Sequence, residues 1–527
     1  MTHGSTKGIG KIIFSSSLGT LIEWYDFYIF GMLAKTISTQ FFPEGNDTAA
    51  LLSTLAIFAA GFLVRPFGAL VFGRLGDLIG RKYTFLLTLV LMGLSTFLIG
   101  LVPSYKAIGI AAPLIVLLLR LIQGLALGGE YGGAATYVAE HAPVHRRGYF
   151  TSWIQTTATL GLFVALGVIM FIKSSMSDAA FTSEWGGWRY PFWISILLVG
   201  ISIYIRLKMK ESPMYAALKE EGTTSTNPIK ESFGHKANFK MVLLALFGAV
   251  MGQGVIWYTG QFYAQSFLEN TCKLEFMQSR GILLWAIAFA TPGFLFFGWL
   301  SDKIGRKWIM LAGMLLGIIF YRPIFGTFLK ETDAKEWMKK DEARFYVKTT
   351  GNKNPVLLKI DTIVKDKFRL VTVKKYKSIW GLKSGISFTE NTSDTTYQLY
   401  NSFSGSVFTN PDSKPVYTEK TISPSLKWKF TFLVWCMIIF VTMAYGPVAA
   451  FLVELFPTKI RYTSMSLPYH IGNGVFGGLV PFIATLLSVS FTNDPLVGLW
   501  YPIGIAALCF VIGALYLSNK IDENIND

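Results

Sequence analysis

The chain has 527 residues, 52% of them hydrophobic and only 15% charged, with a formal net charge of +16. A soluble domain holds about a quarter of its residues as Asp, Glu, Lys and Arg, so this composition excludes an ordinary water-soluble fold. The positive balance does not point to nucleic acid: Lys and Arg sit in short loops between apolar runs, where they fix orientation during membrane insertion. Three cysteines, Cys272, Cys436 and Cys509, offer neither a disulfide framework nor a metal cluster, and no metal is expected.

Apolar windows predict twelve helices at roughly 12–34, 49–72, 83–103, 110–136, 149–172, 187–207, 240–267, 281–300, 307–328, 430–453, 466–489 and 497–518. The stretch from Lys11 to Ala34 is too long, and too acidic in its middle, for a cleavable signal, so it is read as the first span. Glycines recur in these segments, five of them (Gly124, Gly128, Gly129, Gly132, Gly133) in the fourth, as expected where helix backbones approach closely in lipid. Loops 73–82, 141–148, 206–240, 301–307 and 457–461 are basic, whereas 35–48, 103–109 and 490–496 are not. The basic set belongs inside, which puts both termini in the cytoplasm. The predicted organisation is a six-helix bundle (1–207), an inner loop (208–239), three helices (240–329), an insert (330–428), and three more helices with a short tail (429–527).

The insert is polar. Arg344–Val347, Val356–Ile360 and Phe368–Val373 carry the β-branched and aromatic content of strands, so a small β-rich extracytoplasmic unit is expected. Thr, Ser and Asn dominate 389–415, which leaves disorder as the rival there.

Two loops about 225 residues apart nearly repeat: Gly73-Arg74-Leu75-Gly76-Asp77-Leu78-Ile79-Gly80-Arg81-Lys82 and Gly298-Trp299-Leu300-Ser301-Asp302-Lys303-Ile304-Gly305-Arg306-Lys307. Such duplication is how alternating-access carriers are built. Asp77 and Asp302 stand near helix ends, where a carboxylate can meet a positive helix dipole. Arg81 and Arg306 can close onto facing acids, with Glu140 and Glu454 as candidates. These residues, with Gly73 and Gly298, form the predicted conformational latch. Topogenic charge alone explains the cations but not the repeated Asp and Gly.

Ionisable groups in mid-membrane are costly and mark functional sites. Helix 1 carries Glu23 and Asp26 on one face, helix 2 carries Arg65, and helix 4 carries Arg120, Gln123 and Glu130. At 1.5 Å per residue, Asp26 lies about 21 Å from the inner end of helix 1 and Arg120 about 15 Å below the outer end of helix 4. The two therefore meet near mid-depth. Asp26 is expected to pair with Arg120, and Arg65 with Glu130 or Glu23, either as purely structural pairs or as pairs that break and remake to load a proton. Proton coupling is assigned to Asp26, Arg120 and Glu23. Substrate contact is assigned to Arg65, Glu130, Gln123, Tyr25, Tyr28 and Gln155 in the first half, and to Tyr258, Gln261, His470 and Asn473 in the second. No catalytic set and no cofactor beyond the coupling proton is expected.

At these residues the chain resembles the major facilitator superfamily, and within it the metabolite:proton symporter family. The matching words are Glu23-Trp24-Tyr25-Asp26-Phe27, Arg65-Pro66-Phe67-Gly68-Ala69, both loops, Arg120-Leu121-Ile122-Gln123-Gly124, Gly128-Gly129-Glu130-Tyr131-Gly132-Gly133, Arg146-Arg147-Gly148, Glu211-Ser212-Pro213, and Glu454-Leu455-Phe456-Pro457-Thr458 with Arg461-Tyr462. The resemblance implies two pseudo-symmetric six-helix bundles around a central cavity and proton-coupled uptake of a small carboxylate or zwitterion. Family members carry proline and betaine, α-ketoglutarate, citrate or shikimate. It also implies a multi-pass inner-membrane protein, here expected to be monomeric, whose partners are the bilayer, the solute and the proton. The insert departs from the family, and a short tail after helix 12 leaves no expectation of a long C-terminal coiled coil. The other reading is a transporter-fold sensor that uses the outer insert. A membrane enzyme is not expected, since five histidines scattered along the chain supply no convergent catalytic set.

Overall fold

The computed structural model describes residues 9–79, 81–129, 135, 138–139, 142–208, 234, 236–340, 345–346, 356–366, 369–381, 386–401, 404–410, 416–456, 461–491 and 493–519. Helices dominate. In chain order they are α1 (Ile9–Met32), α2 (Asp47–Leu63, continuing as Arg65–Ile79), α3 (Arg81–Ile99), α4 (Ala111–Gly128), α5 (Arg147–Ser174) and α6 (Tyr190–Lys208). The second half adds α7 (Lys236–Thr271), α8 (Phe276–Ile304), α9 (Lys307–Glu331), α10 (Pro424–Leu455), α11 (Arg461–Tyr469, continuing to Ser490) and α12 (Trp500–Tyr516). Among the described residues, nine spans are long and apolar enough to cross a membrane. Helices α1, α3 and α6 stand where the remaining three were predicted. Residues 209–233 and 235 of the inner loop, Glu130 and Glu140 lie outside the described residues, as do the side chains of Asp77 and Arg81.

Two compact units emerge. The first comprises Met1–Ala264, Leu283–Pro323 and Val434–Asp527. Glycine sets its helix spacing, because lipid offers no hydrophobic force and close packing must do the work. A Cβ on Gly124 of α4 would lie 1.9 Å from the Gly61 carbonyl oxygen of α2, and one on Gly254 of α7 would lie 2.6 Å from the Gly472 carbonyl oxygen of α11. No side chain fits at either contact. Both α7 and α11 leave regular α-geometry here: π turns occupy Thr259–Tyr263 and His470–Gly477. Such bulges break the i→i+4 ladder and re-aim side chains, often at functional sites.

The second unit comprises Gln265–Ile282 and Ile324–Leu433. Its sheet has six antiparallel strands: β1 (Phe345–Tyr346), β2 (Val356–Asp366), β3 (Arg369–Gly381), β4 (Ser387–Asn401), β5 (Ser404–Asn410) and β6 (Val416–Thr421). β3 and β4 form the centre, paired from Arg369↔Leu399 to Gly381↔Ser387. The described part of the Thr- and Ser-rich segment that composition left open to disorder is thus β4 and β5. Threonine is β-branched, and a long neighbouring strand satisfies its backbone. β6 is stitched to the α7–α8 connection: Lys420 N donates to Lys273 O (2.9 Å), Glu275 N donates to Lys420 O (2.8 Å), and the Gln278 amide closes both ways on the Ile422 backbone.

Candidate functional site

The first unit gathers an aromatic cage from both halves of the chain. Trp24 and Tyr28, one turn apart on α1, stack with ring centroids 5.0 Å apart, and Tyr28 stacks on Trp257 of α7 at 5.4 Å. Tyr258 meets Phe62 edge-on at 5.1 Å, and Phe262 tilts against Tyr28 at 5.0 Å. From α10, Tyr445 faces Trp257 at 6.5 Å and shares a 2.7 Å hydrogen bond with the Tyr469 hydroxyl of α11. Asn473 Nδ2 donates to that Tyr469 oxygen (3.2 Å), and Gln253 Nε2 donates to Asn473 Oδ1 (3.3 Å).

Arg65 is 1% exposed and, among the described residues, lies across aromatic rings. Its guanidinium carbon is 4.2 Å from the Phe62 centroid, 4.3 Å from Phe27 and 5.5 Å from Trp24. Nine buried polar atoms with no hydrogen-bond partner among the described residues lie on residues of this cage and its surroundings. They are Arg65 Nε and Nη2, Tyr28 OH, Trp257 Nε1, Tyr258 OH and both nitrogens of His470; Gln261, in the α7 π turn, adds both its amide atoms. Native interiors leave few such atoms, because each costs about 1–3 kcal/mol, so a cluster of them marks the cage as a candidate site.

Asp26 and Arg120 are brought to the same depth, 1% and 0% exposed, but not to each other. Ser195 Oγ of α6 donates to Asp26 Oδ1, while Arg120 Nη1 donates to Gln123 Oε1 and, at 3.5 Å, to the Phe27 carbonyl oxygen. The expected ion pair is therefore corrected. Successive residues on a helix point about 100° apart, so Asp26 turns to α6 while Arg120 comes in on the Phe27 side. Gln123 joins them, its Nε2 donating to Asp26 O (3.1 Å) and Thr96 Oγ1 (2.7 Å). Tyr25, expected at the substrate, sends its hydroxyl to Pro191 O of α6 (2.9 Å). Glu23 and Gln155 are buried, and the partnership of Arg65 with Glu130 lies outside the described residues.

At the start of α5 the second repeated loop forms a hydrogen-bonded network. Arg306 Nη2 and Nε reach the two carboxylate oxygens of Glu454 at 2.9 and 3.2 Å, and Nη1 reaches Asp302 Oδ1 at 2.6 Å and Ser301 Oγ at 2.7 Å. Asp302 in turn accepts from the backbone N–H of Gly148 and Tyr149, each at 2.8 Å. Those are orphan donors at the N-terminus of α5, where a carboxylate meets the helix dipole. Glycine is required on both sides: a Cβ at Gly148 would fall 2.3 Å from Arg306 Nη1, and one at Gly298 would fall 2.6 Å from Ser152 Cβ. The first loop's Asp77 and Arg81 side chains lie outside the described residues.

Residues 12–242 match the family described as Sugar (and other) transporter. The chain is 38% identical over 326 residues to the alpha-ketoglutarate permease of Escherichia coli (strain K12), covering 62% of this chain and 73% of that one. It is 30% identical over 488 residues to the inner membrane metabolite transport protein YhjE of the same strain, covering 91% and 88%. The chain belongs to the metabolite:H+ symporter family of the major facilitator superfamily. Another member of that family, the proline/betaine transporter of E. coli (strain K12), is 35% identical over 326 residues, and the match spans 64% of its length. The fold is also that of the E. coli xylose transporter XylE in a partially occluded inward-open conformation, with a TM-score of 0.62 at 16% identity over 98% of this chain and 100% of that one.

Several site residues escaped the sequence reading, among them Gln253, Phe62, Phe262, Ser195, Thr96 and Tyr445. Ser195 has no signal, being one serine in an apolar run. Thr96 has none either. Tyr445 stands just before Gly446-Pro447, and that break in α10 was the available pointer to a turned side chain.

Proposed function

We propose that this chain is a secondary active carrier that takes up a small organic carboxylate or zwitterion together with a proton, by alternating access of twelve helices. The observation that carries the reading is the cage of unsatisfied buried donors. Arg65 Nε and Nη2, Tyr28 OH, Tyr258 OH and Trp257 Nε1 offer hydrogen bonds suited to a carboxylate, and the faces of Trp24, Tyr28 and Trp257 suit an alkylammonium. The groups come from α1, α2 and α7, so a guest held by all of them ties the two halves together. Movement of the halves then exposes it to one side or the other. No nucleophile–base set is needed, which favours a carrier over an enzyme.

The Arg306–Asp302–Glu454 network is the latch of one face. Closed on α5, it bars that end, and letting go of Gly148 and Tyr149 opens it. Basic loops place that end in the cytoplasm, together with both termini. The names of relatives, proline/betaine transporter and alpha-ketoglutarate permease, frame the substrate class, and an inner-membrane location follows the name of YhjE. Asp26 is the candidate proton site, being a buried carboxyl that makes no ion pair with the described residues.

One proton crossing about 150 mV supplies roughly 3.5 kcal/mol, enough to accumulate a neutral solute a few-hundred-fold. A monoanion carried with one proton gains nothing from the voltage. The test is uptake by proteoliposomes of radiolabelled proline, glycine betaine and α-ketoglutarate, with a pH gradient and with or without a potential. Accumulation of a zwitterion should rise with the potential. Absence of pH-driven uptake across a broad panel of carboxylates and zwitterions would defeat the reading.

A further inference from the structure

The Gln123 amide links the Asp26 backbone carbonyl to the Arg120 guanidinium, while the Asp26 carboxyl is turned to Ser195. Gln123 Nε2 donates to Asp26 O and to Thr96 Oγ1, so its Oε1 is the atom turned to Arg120 Nη1. Arg120 is otherwise held by the Phe27 carbonyl and by ring faces, with centroids of Phe27, Phe30 and Phe58 at 4.2, 4.7 and 5.0 Å. Its Nε and Nη2 have no hydrogen-bond partner among the described residues. Every acceptor it touches is neutral. Asp26 meets one hydroxyl, that of Ser195. One hydroxyl suffices for a neutral carboxylic acid, but a buried carboxylate needs a cation or several donors.

We propose that Gln123 and Ser195 are positioning residues that set when Asp26 releases its proton: Gln123 keeps Arg120 off the carboxyl, and Ser195 supports the nascent carboxylate until Arg120 crosses to it. The step is a proton transfer from Asp26 to water. Arg120 then exchanges the Gln123 oxygen for the Asp26 carboxylate, and no covalent bond besides O–H breaks. The inference rests on the carrier reading, in which Asp26 is the proton site.

Other charged or titratable groups near Asp26 are few. On α1 there are Glu23 and Tyr25, the latter bonded to Pro191 O, and on α2 there is Arg65, stacked on Phe27. Helix α4 brings Arg120 and α3 brings uncharged Thr96. Helix α5 meets α1 at Gly161, with Arg147, Tyr149 and Lys173 confined to its ends, and α6 has Tyr190 five residues before Ser195.

The test needs no substrate. The full-length protein in proteoliposomes is titrated while the carboxylic-acid C=O stretch is followed by infrared difference spectroscopy, and the band missing in Asp26→Asn is assigned to Asp26. Ser195→Ala removes a donor to the anion and should raise the midpoint by about one pH unit. Gln123→Ala frees Arg120 to pair with Asp26 and should lower it by at least as much. Ser195→Thr keeps the hydroxyl and should titrate like the parent, which guards against loss through misfolding. Opposite shifts in the two alanine variants support the proposal, since a packing defect would not move them in opposite senses. Shifts of the same sign, or none, overturn it. Detecting no band that Asp26→Asn removes also overturns it, yet leaves carrier activity to be judged by uptake alone.

Discussion

Arg306 and Arg65 are both buried guanidinium groups, and they are satisfied in opposite ways. Arg306 spends its donors on Glu454, Asp302 and Ser301, at distances from 2.6 to 3.2 Å. Arg65 rests on the faces of Phe62, Phe27 and Trp24 and leaves Nε and Nη2 unused among the described residues. A cation with four of its five N–H donors committed to protein acceptors is a fastener, because it has little left to offer a newcomer. An unsaturated one in an aromatic setting keeps its strongest donors for something that arrives later. Under the proposed function, the contrast would separate a part that holds a conformation from a part that receives cargo.

The largest effect is expected at the fastener. Arg306→Ala leaves the Glu454 carboxylate buried without its bidentate partner, a situation that costs about 3–5 kcal/mol. Thermal unfolding in detergent should report that loss. The double change Arg306→Met with Glu454→Met removes both charges and should recover most of it, since apolar replacements of a buried pair are often neutral or better. No loss in Arg306→Ala, or no recovery in the double variant, would break the contrast from the Arg306 side.

Next comes the unsaturated cation. Arg65→Lys keeps the charge but loses the planar fork that both stacks and hydrogen-bonds. Apparent substrate affinity should fall about 10- to 100-fold, in line with about 1.5–3 kcal/mol for a charged hydrogen bond, while unfolding temperature moves little. Uptake assays on the variant check the first part and thermal scans the second. If Arg65→Lys instead lowers the unfolding temperature sharply while transporting normally, Arg65 is a fastener too and the distinction fails.

Asp302→Asn is milder. It keeps the hydrogen-bonding shape but removes the charge facing the α5 N-terminus and Arg306, worth up to about 2 kcal/mol where partly buried. The latch should loosen, and a cysteine introduced at Ser152, packed against Gly298, should react several-fold faster with a polar maleimide. An unchanged rate would mean the Asp302 contact is ornamental to that face.

Much of this was readable in the residues. The repeated Gly-x-x-x-Asp-x-x-x-Arg spacing put Asp302 near a helix end and gave Arg306 a facing acid to close on, with Glu140 and Glu454 as candidates, because both roles need only a helix end and a nearby acid. Which helix and which acid came from the fold. Likewise Gly124 and Gly128 marked close packing on α2, where Cβ atoms would meet backbone oxygens. Depth could be counted at 1.5 Å per residue, so Asp26 and Arg120 were put at one level. Azimuth could not, and it decided their partners: Ser195 for one, Gln123 for the other. The π turns at Thr259–Tyr263 and His470–Gly477 were equally hidden, since they answer to packing of α7 on α11 rather than to local propensity. The Thr- and Ser-rich run became β4 because β3 lies beside it in register, a non-local fact.

Arg322 completes the series and should matter least. It is 31% exposed, its Nη2 is 3.0 Å from Asp494 Oδ2, and its guanidinium carbon sits 4.8 Å from the Trp500 centroid. The Leu496 N–H and the Arg322 guanidinium hold the Asp494 carboxyl below its ordinary range. A carboxyl whose proton affinity is lower in the fold adds stability that is present above its unfolded titration and fades as pH falls through its folded one. That window lies below the ordinary carboxylate range, and at 43% exposure of Asp494 solvent screening leaves about 0–1 kcal/mol at neutral pH. Asp494→Asn should therefore lower the unfolding temperature by a degree or two at most at pH 7, and the difference should vanish in strong acid. A loss as large as that of Arg306→Ala would show that exposure does not grade these cations, and the ranking from fastener to receptor to surface pair would have to be abandoned.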